Sequence, residues 1–351
     1  MKTPKVPQVS VIVLTYNARP FVERCLTAVL GQSFADFELI MVDNDSHDGT
    51  ADFVRQRYPT VRVIDSHVNE GYGAGNNLGV AHARGDTLVF LNPDAIPEPD
   101  WLANLVGAMH TQQSRFATSK IVLESDNERL NSGGNLIHYL GLSFCRGVKA
   151  HRSAFDRQEL VSGASGAACA ITRELFERIG GFDPTFFLYH DDVDLSLRAL
   201  LAGEPCLYVP SAVVSHDYEL SVPPMKWGWI EAHRYAILLK TFSVPTVLLL
   251  LPALIAIDLV TFAYLAVRGP AYVAAKLRSY GWVLRQATAI QASRRRAQAV
   301  RALPDRELLA KLGDRIPYEQ LSPLWLAQLA NLLIDPWFRL YRRLTLAIIH
   351  W

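Results

Sequence analysis

Four short apolar runs, each closed by a polar cluster, fill the first hundred residues and leave few folds open. VSVIVLTYN (Val9 to Asn17), FELIMVDND (Phe37 to Asp45), VRVIDS and TLVFLNPDA (Thr87 to Ala95) are rich in β-branched and aliphatic residues and read as strands. Between them, Pro20 to Leu30 has helical spacing at Phe21, Cys25, Ala28 and Val29. SHDGTADFVRQRY predicts a helix with Ser46 or Asp48 as N-cap, and GYGAGNNLGVAHARG a loop feeding a helix. Apolar strands separated by helices predict an α/β fold with a mainly parallel sheet covered on both faces. In such sheets a ligand binds beyond the carboxyl ends of the strands. Thr15-Tyr16-Asn17, Asp43-Asn44-Asp45 and Asn92-Pro93-Asp94 all fall there.

From about Ser119 to Val161, short strands and glycine turns suggest an antiparallel extension. Helices over Thr172 to Ile179 and Asp191 to Ala202 follow, then a strand ending at His216. Composition shifts after about Pro223, and a chain of 351 residues fits two units, 1–225 and 226–351. Half of the residues are hydrophobic, and an uneven share sits in Val244 to Val267, where Asp258 is the single charge. From Arg268 onward there are 14 Lys/Arg against 5 Asp/Glu, a net of +9 that leaves −8 for the rest. Cys25, Cys145, Cys169 and Cys206 lie far apart, which excludes a disulfide framework or a cysteine zinc site and fits a reducing compartment. The opening MKTPKVPQVSVIVLTYN has an apolar run of about five residues, a strand rather than a signal peptide, so the active part is expected in the cytoplasm.

Asp94 directly follows an apolar strand, so its carboxylate is expected to project into the ligand crevice. A hard divalent cation there needs oxygen ligands, commonly a carboxylate or two plus phosphate oxygens; a turn with an Asx cap is the competing reading. Asp191, Asp192 and Asp194 open a helix whose dipole favours acids at its N-terminus, and taken alone they read first as ordinary capping. The preceding Phe186-Phe187-Leu188-Tyr189 would set those carboxylates beside apolar surface, which raises a carboxyl pKa and suits it to accept a proton. His216, if it met Asp94, would complete a nitrogen-and-oxygen site for Mn²⁺ or Mg²⁺. Gly71-Tyr72-Gly73-Ala74-Gly75 is followed by Asn76, so the dinucleotide fingerprint fails, and no P-loop is present. Gly163-Ala164-Ser165-Gly166 reads as a backbone-close turn lining the site rather than a nucleophile elbow.

Taken in order, VSVIVLTYN, VDNDSHDGT, NEGYGAGNNLG, LNPDA, GGFDPTFFLYHDDVDLSLRALLAG and YVPSAVVSH resemble a family 2 glycosyltransferase of GT-A (Rossmann-like) fold, in its rhamnosyltransferase-like branch. The resemblance covers roughly Val9 to Tyr218. It implies that Thr15, Tyr16 and Asn17 line the nucleotide-base pocket, with Tyr16 stacking, and that Asp43 hydrogen-bonds the base, beside Asn44. Gly75 and Asn77 match the segment that closes over the nucleotide. Asp94 matches the metal-binding acid of D-x-D, with Asn92 in place of the first acid, and His216 a histidine that joins the metal. Asp192 matches the general base; Asp191 stands where the family has Glu, one methylene shorter, leaving open whether it reaches the acceptor or only caps the helix. The implied activity is inverting, metal-dependent transfer of a sugar, rhamnose from dTDP-rhamnose ahead of UDP-hexoses, to a lipid-linked or polysaccharide acceptor. A catalytically silent sugar-nucleotide-binding scaffold and a nucleotidyltransferase are the alternatives. No nucleic-acid partner is expected.

Val244 to Val267 exceeds the roughly 20 apolar residues that cross a bilayer. A single crossing would carry the basic tail outward, against the positive-inside tendency, and would bury Asp258 at a cost of roughly 2.5–3.5 kcal/mol. A re-entrant or in-plane hairpin on the cytoplasmic face of the membrane is therefore expected. The aromatic and arginine-rich segment from Trp325 to Arg343 would act as an interfacial helix. Packing as core or as the interface of a homo-oligomer is the competing reading.

Overall fold

The computed structural model describes residues 6–218 and 221–351. They divide into two compact units, one of residues 6–135, 145–199 and 204–218, the other of Leu136–Phe144, Leu200–Gly203 and 221–351. The second unit thus takes in two short segments from earlier in the chain than the division at 225 and 226.

Twelve strands are described: β1 (Val9–Thr15), β2 (Phe37–Asp43), β3 (Arg62–Asp65), β4 (Thr87–Leu91), β5 (Ala95–Pro97), β6 (Phe116–Leu123), β7 (Asp126–Ser132), β8 (Asn135–Ile137), β9 (Ser143–Cys145), β10 (Glu159–Val161), β11 (Ala168–Thr172) and β12 (Cys206–His216). The main sheet runs β10-β12-β6-β11-β4-β1-β2-β3, while β8 and β9 pair separately. β3, β2, β1 and β4 are parallel, as are β6 and β12. β11 lies antiparallel between β4 and β6, so the carboxyl ends of both parallel blocks open on one edge.

Helices α1 (Arg19–Leu30), α2 (Thr50–Arg57), α3 (Gly71–His82), α4 (Trp101–Thr111), α5 (Arg173–Arg178) and α6 (Asp191–Leu201) connect the strands. Alternation along β1 explains why both faces are covered. Val9, Val11 and Val13 share one core with Val22, Cys25 and Leu26 of α1 and Trp101 and Leu105 of α4. Ile12 and Leu14, on the opposite face, meet the glycines of α3: a Cβ on Gly75 would lie 2.5 Å from Leu14, and one on Gly79 2.6 Å from Ile12. The glycine-rich segment is therefore itself the helix, not a loop leading to one. Each interior glycine costs about 1 kcal/mol in helix propensity, and the close approach to β1 offsets it. The capping expectation for α2 also changes. Its N-cap is Gly49, with φ 79°, while Asp48 accepts from the Arg19 and Thr50 amides and the Ser46 hydroxyl accepts from the Asn17 amide. Those polar side chains tie the loops after β1 and β2 together.

The second unit holds α7 (Pro224–Thr241), α8 (Val244–Arg268), α9 (Pro270–Arg285), α10 (Ala287–Ala299), α11 (Asp305–Lys311), α12 (Leu324–Leu333) and α13 (Asp335–Ile348). Val244–Arg268 is one continuous helix through Pro252, which corrects the hairpin. A proline removes a single backbone hydrogen bond, and no Gly or Asn stands nearby to turn the chain. Asp258 is not isolated either. It accepts from Arg234 at 2.6 Å, Tyr235 at 2.6 Å and Lys276 at 3.0 Å, and both cations also bind Glu231.

Helix α8 turns Thr246, Leu250, Ala253, Ile257, Thr261 and Leu265 inward and leaves Leu248, Leu251, Ile255 and Leu259 exposed. On α13, Asp335 and Thr345 are buried while Trp337, Leu340, Leu344 and Ile348 are exposed, and α12 buries Ala327 and Ala330 but exposes Leu324, Trp325, Leu332 and Leu333. Large apolar side chains thus stand on both the buried and the exposed faces of α8 and α13, and α12 exposes them over buried alanines.

Candidate active site

The register of the parallel strands aligns Thr15 with Asp43 and Asp43 with Asp65 at the open edge. The Thr15 hydroxyl donates to Asp43 Oδ1 at 3.1 Å, and the Ser46 amide to Asp43 Oδ2 at 3.1 Å. A carboxylate has about four acceptor sites, so two contacts fix Asp43 without exhausting it. Tyr16, just beyond, is 50% exposed, with its ring free to meet a planar partner. Asn17 has φ 50° and accepts from the His47 amide at 2.8 Å. Asn44 donates to Asn69 and the Gly71 carbonyl and accepts from the Glu70 amide. Asn77 donates to the Phe182 carbonyl at 2.9 Å and accepts its amide at 3.0 Å. The amides of Asn44 and Asn77 are thus taken up by backbone around the crevice, and Gly75 lies beneath Leu14.

The antiparallel pairing of β5 with β12 sets His216 opposite Ala95 and so beside Asp94. Their side chains meet at 3.2 Å, His216 Nε2 to Asp94 Oδ1. Both atoms are shut off from solvent, and neither makes a hydrogen bond. The other imidazole nitrogen, Nδ1, lies 3.0 Å from Asn131 Oδ1. Assigning that contact as Nδ1–H donating leaves the Nε2 lone pair directed at Asp94. An acceptor nitrogen facing a carboxylate oxygen with no proton between them fits a cation held by both. Among the described residues no group of three His, Cys, Asp or Glu converges, so its remaining ligands would be donor oxygens and water. Asn92, in the turn before Asp94, donates its amide to the Ala167 carbonyl at 2.9 Å.

At that same strand end, Gly166 donates its amide to Asp192 Oδ2 at 2.8 Å, and Asn135 donates to the same oxygen at 2.9 Å. Burial pushes the Asp192 carboxyl up, and the Gly166 amide, the Asn135 amide and the Val193 amide pull the other way. Tyr218 lies against the pair: its ring stacks on His216 with centroids 5.6 Å apart. Burial pushes the Tyr218 phenol up, with Cys145, Tyr189 and Asp192 adding to the shift. The Asn92 amide on the Ala167 carbonyl sets the turn before Asp94 beside Gly166, whose amide holds Asp192.

The three helix-opening acids separate by environment. Asp194 is ion-paired at 2.8 Å with the buried Arg198 and serves the fold. Asp192 keeps partial access to solvent, whereas Asp191 is 3% exposed. Tyr72 and Phe182, edge to face at 5.6 Å, provide apolar surface here, and Asp191 Oδ1 would lie 2.9 Å from a Cβ on Gly73. Tyr72 also donates to the Gly166 carbonyl at 2.6 Å. Tyr189 and His190, immediately before α6, have φ of 66° and 64°. Left-handed non-glycine residues cost of order 1–3 kcal/mol each and persist where the surroundings hold them.

Burial pushes the Asp191 carboxyl well up, and the neighbouring Asp192 charge adds to it. A carboxyl whose folded value is raised stabilises the fold at low pH, and that contribution is lost as pH rises through the folded value. Asp191→Asn, neutral at every pH, is therefore expected to raise the melting temperature more at pH 8 than at about pH 4, near an ordinary aspartate's value. Equal shifts at the two pH values would show that Asp191 is not held protonated.

Asn131, Asn135, Tyr72 and Tyr218 are absent from the sequence-derived site. Asn131 and Asn135 flank Ser-Gly-Gly, where asparagine signals a turn. The turn at Gly163 to Gly166 does line the site, through the Gly166 amide.

The family described as Glycosyl transferase family 2 matches residues 10–180. The chain is 34% identical over 224 residues to glycosyltransferase AglE of Haloferax volcanii, covering 61% of this chain and 68% of that protein. It is 29% identical over 231 residues to the N-acetylglucosaminyl-diphospho-decaprenol L-rhamnosyltransferase of Mycobacterium tuberculosis, covering 59% of this chain and 75% of that one. Among solved structures, GalNAc-T7 with UDP, GalNAc and Mn²⁺ is similar at a TM-score of 0.53 and 16% identity, covering 67% of this chain and 48% of that one. That likeness is one of fold, and the mixed, mainly parallel sheet is of GT-A type. By its strand-end motifs, its sheet and its relatives, this chain belongs to glycosyl transferase family 2 and is a glycosyltransferase.

Proposed function

We propose that the protein transfers a sugar, rhamnose from dTDP-rhamnose, with inversion, to a hydroxyl of a lipid-linked acceptor of the cell envelope at the cytoplasmic face of the membrane. The observation that carries this reading is the facing of Asp94 Oδ1 and His216 Nε2, 3.2 Å apart, both atoms shut off from solvent and neither hydrogen-bonded, at the strand end where Gly166 also holds Asp192. Asp43 and Tyr16 receive the nucleotide base. Asp192 takes the proton of the acceptor hydroxyl as its oxygen forms a bond to the anomeric carbon. The bond from that carbon to the diphosphate breaks on the opposite side, and the nucleoside diphosphate leaves with the electron pair. The Gly166 and Asn135 donors hold the Asp192 carboxylate in place for this. Asp94 and His216 would hold a Mg²⁺ or Mn²⁺ ion, which supplies Lewis-acid neutralisation of the leaving diphosphate.

The rhamnosyl donor and lipid-linked acceptor follow the name of the Mycobacterium tuberculosis relative. Membrane attachment rests on the outward aliphatic faces of α8, α12 and α13, and α8 is the one described helix long and apolar enough to cross a membrane. Melting curves with a panel of nucleotide sugars, with and without Mn²⁺, test the donor, because a ligand that binds the folded state raises its melting point. dTDP-rhamnose is expected to give the largest Mn²⁺-dependent rise, followed by transfer to a polyprenyl-diphosphate-linked N-acetylglucosamine. A larger rise with UDP-hexoses would replace the sugar. Stabilisation without transfer or donor hydrolysis would favour a silent scaffold subunit.

A further inference from the structure

Within the helical unit, α7 and α9 pack closely enough that Gly228 faces Ala275, where a Cβ would stand 3.5 Å from the alanine methyl. Beside this contact the two helices leave an open groove of about 450 Å³, within the range of small-molecule sites. Trp229 and Trp282 stand edge to face at 6.4 Å in its wall, and Met225, also lining it, is 63% exposed. Arg278 and Arg285 also line it, and no acidic residue does among the described residues. They are seven residues apart on α9, two turns along one helical face. Both are exposed, and neither has an ion-pair or hydrogen-bond partner among the described residues. Three other arginines of this unit are engaged within it, Arg234 by Glu231 and Asp258, Arg301 by Asp305 and Arg342 by backbone carbonyls.

We propose that this groove binds the isoprenoid diphosphate of the acceptor, its apolar chain along Trp229, Trp282 and Met225 and its diphosphate on Arg278 and Arg285. Charge complementarity selects the occupant. Two uncompensated guanidiniums call for a polyanionic head, and guanidinium forks match phosphate oxygens. A zwitterionic phospholipid brings its own cation and leaves one arginine unanswered. The indoles offer apolar faces to the chain with their edges towards the head. The inference deepens the lipid-linked-acceptor reading and rests on it.

The test uses the full chain in detergent, with farnesyl diphosphate carrying a photoactivatable group on its tail. Crosslinks are expected on α7 and α9 around Trp229 and Trp282, competed by unlabelled farnesyl diphosphate but not by farnesol, inorganic diphosphate or phosphatidylcholine. Arg278→Gln with Arg285→Gln, both at exposed positions, is expected to weaken farnesyl diphosphate binding at least about tenfold, the loss of about 1.4 kcal/mol expected for charge-assisted contacts. Metal-dependent binding of the nucleotide sugar should be unchanged in that variant. Unaltered binding in the double variant, labelling elsewhere, or equal competition by phosphatidylcholine would overturn the groove. Because donor binding is read separately, the outcomes divide cleanly. An intact groove in a protein that binds no nucleotide sugar defeats the transferase reading, while transfer to lipid acceptor at wild-type KM in the double variant defeats the groove.

Discussion

Asp192→Asn is expected to lower kcat by about 10²–10⁴-fold, the usual contribution of a positioned general base, and to leave nucleotide-sugar binding nearly intact. The asparagine carbonyl can still accept from the Gly166 amide and from Asn135, which hold Asp192 Oδ2 at 2.8 and 2.9 Å. The local fold therefore survives while the proton acceptor is lost. The measurement is a turnover assay beside a donor-binding isotherm on the same preparation. Turnover near wild type would remove Asp192 from the base role, and lost donor binding would make it a structural group. Burial holds the wild-type carboxyl above the ordinary aspartate range. Since the base acts deprotonated, the acid limb of kcat should lie at higher pH than for an exposed aspartate.

Asp94→Ala is expected to abolish the Mn²⁺-dependent part of donor binding and to leave the metal-independent part. A Lewis acid on a departing diphosphate is worth several kcal/mol, so transfer should fall by a factor comparable with that for Asp192. The protein places one carboxylate and one imidazole there and no third side-chain ligand among the described residues. Removing either therefore removes half of the protein's share. Asp94→Asn keeps the volume and removes the charge, which separates coordination from packing. The readout is the melting-temperature rise produced by donor at increasing Mn²⁺, compared with donor alone. If Asp94→Ala kept the metal dependence of the wild type, the pair would be a structural contact.

Much of the crevice was legible because strand ends announce themselves. An apolar β-branched run that stops at Thr15, Asp43 or Asn92 locates the edge of a parallel sheet, and the motifs beyond it follow. The meeting of His216 with Asp94 depends on β5 pairing antiparallel with β12, which no local pattern encodes. Asn131 and Asn135 escaped notice because asparagine near paired glycines looks like any turn. The helix at Gly71 was read as a loop because propensity weighs against glycine, whereas contact with Ile12 and Leu14 requires it. Pro252 lies inside α8, and one lost hydrogen bond in 25 residues does not stop a leucine-rich helix.

Glu231, Arg234, Asp258 and Lys276 join α7, α8 and α9 through a cluster whose formal charges cancel, with the first two and the lysine sealed from solvent. Losing one partner of a buried pair costs roughly 3–5 kcal/mol, whereas exchanging whole sets for well-packed aliphatics is often neutral or better. A lineage carrying this quartet can hardly leave it by single steps, because every intermediate strands a charge. Its members should therefore change together or stay together across descendants, marking ancestry in the helical unit independently of the transferase motifs.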